Sequence, residues 1–219
     1  MSKLPGETRS ARKRKHILES ARSIFAREGF SHAGMEQVAR DAGVSTATLY
    51  AHFPGKADLF RVVIEDNIAD IAGRVRDTAS LEGDAAARLN AFGLAYAAFY
   101  CEPTARATFR MVVAERRRFP DLADHLQERG RIELGGTLIA ILTDLSAAGE
   151  IVLDKPSWAA GQLQGMIEHA TLTLGLIAGD EVAPVRPLEA LVADAVETFL
   201  ARYGVKGTAD SSSSPTRTG

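Results

Sequence analysis

The side chains able to do covalent or acid–base chemistry in this 219-residue chain do not come together at any spacing that such chemistry needs. His16, His32, His52, His125 and His169 are scattered, and none follows a glutamate by three positions, as the Glu-x-x-His pairs of a helical di-iron site require. No Gly-x-Ser-x-Gly elbow, phosphate loop or dinucleotide fingerprint occurs. Asp121, Asp124 and His125 read either as a weak metal site or as a solvated helix end. Cys101, the one cysteine, excludes an intrachain disulfide, fits a reducing compartment and has no partner for thiol redox chemistry. No enzyme, metal or cofactor is expected. What remains is non-covalent: Arg9, Arg12, Lys13, Arg14 and Lys15 form a cluster able to neutralise phosphates or enter a minor groove, or only to aid solubility. The net charge of −2 hides an asymmetry, because residues 1–60 hold ten Lys and Arg against six Asp and Glu, whereas residues 61–219 hold 16 against 22.

The element beside that cluster is the run from Met35 to Phe53, MEQVARDAGVSTATLYAHF. Met35, Val38, Ala39 and Ala42 share one helical face, and Gly43 supplies the positive φ that ends a helix. Ser45 is suited to cap a second helix at once, with Val44 and Leu49 packing back on the first. Two short helices around a central Gly form a helix-turn-helix, or else an ordinary helical hairpin. Ile17, Leu18, Ala21, Ile24 and Phe25 lie on one face of a preceding helix that would brace the pair.

With 46% hydrophobic and 25% charged residues the chain has enough apolar side chains for a sizeable core. It has neither the roughly 18-residue apolar run of a membrane span nor an apolar signal core, so a cytoplasmic protein without a membrane partner is expected. The periodicity predicts an all-α protein of about nine helices, over residues 10–28, 35–42, 46–52, 56–79, a fifth through Leu89, Phe92, Tyr96, Phe99 and Tyr100, a sixth from Pro103 to about Arg118, a seventh from Pro120 to Gly149, then 156–178 and 187–203. Leu59, Val62, Val63, Asp66 and Ile71 mark the inner side of the fourth, and Ile68 and Ile71 should face the fifth. The domains expected are residues 1–55 with a basic arm, 56–203, and a disordered polar tail, 204–219.

The strings ILESARSIFAREGF, MEQVARDAGVS and TLYAHFPGKADLF resemble the tetracycline-repressor (TetR) family of bacterial regulators over residues 16–62. The stretch FRMVVAERRRFPDLADHL, residues 109–126, is similar to the C-terminal domain of the branch that includes efflux-pump regulators. The resemblance implies a homodimeric, ligand-responsive repressor of an efflux or neighbouring operon, on a palindromic double-stranded operator, released by a small-molecule inducer. It implies that Thr46, Ala47 and Thr48 read bases while Tyr50, His52 and Lys56 hold the backbone; Ser45, Gly34, whose bare N–H can reach a phosphate, and Arg12 and Arg14, where the arm meets the first helix, are further DNA-binding candidates. The chemistry suits these roles, since Thr offers a hydroxyl and a methyl, Tyr and His donate to phosphate, and Lys56 sits at a helix N-terminus. Tyr50 also fits partial core packing and His52 a structural hydrogen bond. Two positions depart from the family pattern: Ala33 and Gly34 replace the usual Thr or Ser cap, and Ala47 stands where Gly is frequent.

The resemblance further implies an all-helical sensor whose last two helices pair with a second copy. Gly161 and Gly165 thin the eighth helix, and the ninth carries the stripe Leu188, Leu191, Val192, Ala195 and Phe199, which fits either a dimer seam or the interior of one protomer. Phe92, Tyr96, Phe99, Phe109, Met111, Met166 and His169 are candidate pocket residues or ordinary core, and Arg110 and Glu115 are polar anchors or an internal ion pair. A helical adaptor without DNA recognition is the alternative class, separated by whether random duplex is bound in a salt-sensitive way.

Overall fold

Helix α1, Arg9–His32, buries Ile17, Leu18, Ala21, Ile24 and Phe25, and breaks at Gly29, where φ is 73° and ψ 169°. The structure is a computed structural model describing residues 9–205, apart from the side chains of Ile68, Asp70, Ile71 and Ala72. Residues 1–8 and 206–219, with most of the expected arm and tail, and the expected contacts of Ile68 and Ile71 lie outside the described residues. Arg12 and Arg14 stand exposed on the first turns of α1, within the helix expected over residues 10–28.

After Gly29 the chain forms α2, Met35–Asp41, and α3, Thr46–His52, joined through Gly43 at φ 66°. Then come α4, Lys56–Asp77, a single 3₁₀ turn at Thr78–Ser80, and α5, Ala85–Tyr100, capped by Asp84, whose Oδ1 accepts from the Ala87 amide at 2.8 Å. Helices α6, Pro103–Glu115, and α7, Pro120–Arg129, each open on proline, whose fixed φ and missing N–H suit a first turn. Two rods follow, each interrupted by a π turn. Helix α7 runs through Gly130–Gly135 into α8, Gly136–Ala147, and α9, Pro156–Glu168, runs through His169–Thr173 into α10, Leu174–Ala178. The last helix is α11, Leu188–Tyr203. The protein is all-α, with one extended pairing among the described residues: Ile151 lies antiparallel to Gly204, with Val152 N–H donating to the Tyr203 carbonyl at 2.8 Å and Val205 N–H to that of Glu150 at 3.0 Å. Gly204 and Val205 thus belong to the folded unit, not to a tail.

The extra residue in each π turn rotates the apolar stripe, a shift that a 3.6-residue period cannot anticipate. Ile132, expected inside, is 53% exposed, and Leu174 is 46% exposed. Trp158 also faces out, with the Lys155 ammonium 4.6 Å from its ring centroid. Asp66, placed on the inner side of the fourth helix from sequence, is exposed and accepts from Arg22 at 2.7 Å, tying α4 to α1.

Two cores result. One joins α1–α4 to Met111 and Val112 of α6 and to Phe119 and Leu122, with Phe30 edge-on to both Phe60 and Phe119 at 5.0 Å. The other packs α5 against α8, α9 and α11. Gly93 lets α5 approach α11 so closely that a Cβ there would overlap Val192, and Leu191, Val192, Ala195 and Phe199 are buried within the protomer. The α11 stripe is therefore interior.

Candidate nucleic-acid interface and sensor cavity

Ser45 starts α3 as expected: its Oγ accepts from the Thr48 amide at 3.1 Å and lies 2.9 Å from Thr48 Oγ1. Leu49 anchors the helix in the core. That leaves Thr46 and Ala47 exposed, Thr48 half-buried with its hydroxyl at the cap, and Tyr50 49% exposed, against the core-packing reading. His52 is half-buried, its ring tilted on Phe53 at 6.3 Å, and the Arg14 guanidinium lies 5.6 Å from the same Phe53 ring. Gly34 caps α2 through extended backbone without a side-chain bond. The outward face of α3 thus presents hydroxyl, methyl and phenol groups in one turn and a half.

Lys56 makes contacts that its position in sequence did not reveal. Its Nζ donates to the carbonyls of Ala33 at 2.8 Å and Ser31 at 3.1 Å, and sits 4.7 Å from the Phe30 ring centroid. An ammonium has three N–H groups, so two tie α4 to the segment before α2 and a third is left over from these two bonds.

Between α4, α5, α6, α7 and α9 lies a cavity of about 620 Å³. Tyr96, Phe99 and Phe109 line it, as expected. Phe92, Arg110, Met166 and His169 do not. Phe92 is buried behind Tyr96, stacked at 5.4 Å. Arg110 turns away to pair with Asp180 and to donate to the Ala26 carbonyl of α1 at 3.3 Å, so neither an anchor in the cavity nor a pair with Glu115 is made. Met166 belongs to an outer groove between α9 and α11, and His169 is exposed. Met111 sits in the core of α1–α4.

The cavity brings in residues that periodicity did not single out. Asn67 Nδ2 on α4 donates to Thr108 Oγ1 on α6 at 2.7 Å, both side chains buried. Tyr100 OH donates to Tyr96 OH at 3.4 Å, and Tyr96 OH donates to Glu168. Burial pushes both phenols above their usual ionisation range, with the Glu168 charge adding to the effect. The first π turn borders the cavity through Gly130, Glu133 and Gly135, and Glu168, the last residue of α9 before the second, lines it as well. A tyrosine four residues from another on an apolar helix was the only signal in the sequence for this network.

Elsewhere, Arg106 is 1% exposed and has no carboxylate; its guanidinium donates to the carbonyls of Tyr100, Thr171, Asp180 and Val182 at 2.5–3.0 Å. It clasps α5, the second π turn and the loop before α11, and a Cβ at Gly175 would strike it. Burial pushes the Cys101 thiol up, with Arg106 opposing, which disfavours the thiolate that redox chemistry needs. The Asp121 carboxylate, considered for a metal, is taken by Arg61, which holds it below its usual range. Among the described residues no cluster of three His, Cys, Asp or Glu side chains could hold a metal ion, and no helix is long and apolar enough to cross a membrane.

Residues 17–63 match the family model described as bacterial regulatory proteins, tetR family, and residues 87–205 match that of the AefR-like transcriptional repressor C-terminal domain. The HTH-type transcriptional activator FasR of Mycolicibacterium smegmatis is 32% identical over 90 residues, 41% of this chain and 39% of FasR. AcrR of Shigella flexneri, an HTH-type transcriptional regulator, is 36% identical over 61 residues, 26% of this chain and 28% of AcrR. The chain therefore matches less than half the length of either relative. A crystal structure of a TetR-family regulator from Mesorhizobium loti MAFF303099 superposes with a TM-score of 0.82 at 27% identity, covering 91% of this chain and 100% of that one. The flavonoid-responsive regulator FrrA gives 0.66 at 28% identity, covering 90% and 99%. With both parts of the chain matched in order and a helix-turn-helix whose outward face is free, the chain belongs to the TetR family and is a DNA-binding transcription regulator.

Proposed function

We propose that the protein is a ligand-responsive repressor that binds a palindromic operator as a homodimer and is released when a small molecule enters the cavity between α4 and α9. The observation that carries this reading is shared packing: Val112 lines the cavity and is part of the core of α1–α4, and Ala123 and Leu126 line the cavity while packing on that core. A molecule that moves this wall moves the helices that hold α3. In the DNA complex Thr46, Ala47 and Thr48 face bases, while Gly34, Ser45, Tyr50, His52, Lys56, Arg12 and Arg14 face phosphates. Repression rather than activation is favoured by the description of the C-terminal match.

Dimerisation is supported by the outer face of α9 and α11, where a Cβ at Gly161 or Gly165 would meet nothing within 4 Å and where Met166, Thr198 and Tyr203 border an open groove. The partner would pack here, not on the buried α11 stripe. Two copies are needed because one recognition helix reads few base pairs, and docking both fixes their separation near a helical turn. The test is to select duplexes from a random library and measure binding by fluorescence anisotropy. A palindrome bound by two protomers, about 10³-fold or more above random duplex, is expected. Equal affinity for selected and random DNA would overturn the reading.

A further inference from the structure

Two polar groups line the cavity, one whose members bond each other and the backbone and one that ends on a carboxylate. At Asn67 and Thr108 the amide donates to the hydroxyl, and the hydroxyl donates to the Thr104 carbonyl at 2.8 Å. In the second the hydrogens run one way, from Tyr100 to Tyr96 to Glu168 Oε1, and stop on a carboxylate. Burial keeps both phenols protonated, so neither can reverse this direction by becoming an anion. Among the described residues no Lys, Arg or His side chain pairs with Glu168, and its Oε2 receives no donor. The carboxylate is half-buried beside two buried rings, and its second oxygen is not among the buried unpaired atoms, so it is left open for a donor that enters the cavity.

Two further features favour a ligand at that point. Glu168 is the last residue of α9 before the π turn, and the turn is held from both sides: Thr171 Oγ1 donates to the Ile167 carbonyl at 2.8 Å, and the Thr171 carbonyl accepts from buried Arg106 at 2.8 Å. The carboxylate therefore stands on fixed backbone. The adjoining wall is aromatic, with Tyr100 and Phe109 at 5.5 Å and Phe99 and Phe109 at 6.4 Å, and ring faces attract cations.

We propose that the cavity takes an organic monocation, an ammonium carried on an aromatic or other apolar body, with the ammonium at Glu168 and the body against Phe99 and Phe109. The assignment rests on reading the cavity as the effector site. An anionic ligand would set like charges together at Glu168, and a neutral hydroxyl would gain the hydrogen bond without the attraction between charges. The arginines of the wall do not oppose entry strongly: Arg129 is paired with Glu133 and Arg131 with Glu128, and Arg116 is exposed, bonded to the Val113 carbonyl, where water and salt screen it.

Three probes of one shape, naphthylethylammonium, naphthylethanol and naphthylacetate, separate the charge classes when titrated calorimetrically into the full chain. The ammonium should bind about tenfold tighter than the alcohol, with the acetate weakest, because the charge-assisted bond is made only by the cation. Glu168→Gln keeps an acceptor for Tyr96, and should bring the ammonium down to the alcohol while leaving the alcohol unchanged. Should that variant fail to fold, Tyr96→Phe, which removes only a neutral donor, must retain the ammonium preference. Acetate binding tightest, a preference that survives Glu168→Gln, or no ammonium binding at all would each overturn the assignment. Adding the probes to the operator complex keeps the two ideas apart: ammonium that binds at Glu168 without loosening DNA would defeat the effector reading alone, whereas release by the acetate would defeat the assignment alone.

Discussion

Asn67 and Thr108, 41 positions apart in sequence, meet at 2.7 Å as a buried pair on the cavity wall, joining the helix that begins at Lys56 to the helix that enters the core of α1–α4. Thr108→Val should lower stability by about 1–3 kcal/mol, since it strands the Asn67 amide, whereas the double variant Asn67→Leu/Thr108→Val should recover much of that loss. A double-mutant cycle in urea checks this. Additive losses would mean that the two side chains are not coupled.

Lys56 and Thr48 should separate under mutation. Lys56→Ala removes a charge-assisted tie to Ser31 and Ala33, so it should cost about 1.5–3 kcal/mol in folding as well as flattening the salt dependence of DNA binding by about one unit. Thr48→Ala should leave thermal stability nearly unchanged, because Ser45 still caps the Thr48 amide, yet weaken the selected operator by about 1–3 kcal/mol and random duplex far less. Equal losses on both DNAs would remove Thr48 from base reading.

Assembly offers a contrast between two glutamates. Gly165→Glu, on the open face of α9, should give folded monomers in sedimentation and lose tight operator binding while keeping weak binding to random duplex. Ala195→Glu, 6% exposed against α5, should instead lower the unfolding midpoint sharply by placing a charge in the core. A stable dimer of Gly165→Glu would move the seam elsewhere.

The buried phenols set a pH limit. In the unfolded chain tyrosine ionises near its ordinary value of 10.0, whereas burial pushes Tyr96 and Tyr100 above it, so the folded state holds protons that the unfolded state has released. Their contribution is intact below pH 10 and declines as pH rises further. Urea midpoints measured at about pH 9 and pH 11 should differ more for the native sequence than for Tyr96→Phe/Tyr100→Phe.

Much of the DNA-binding end was legible in the sequence because its signals are local. Gly43, Ser45 and Leu49 declare a turn, a cap and a core contact within seven residues, and the structure has each. Helix content and most helix limits followed from the same 3.6-residue periodicity and from proline and glycine placement. What only the tertiary structure decided was the environment of side chains whose partners are distant in sequence. The first π turn carries Ile132 outward, and the packing of α9 on α5 brings Glu168 to Tyr96, which lies 72 positions away. Phe92 and Phe99 share an apolar helix, yet one is enclosed behind Tyr96 and the other lines the cavity, a difference set by packing against α9 and α6. The stripe on α11 could face either a second copy or its own α5, and Gly93, by letting the two helices touch, settled it for the interior. Hydrophobic pattern specifies that a face is covered; the distant residue that covers it is chosen by the packing of the whole chain.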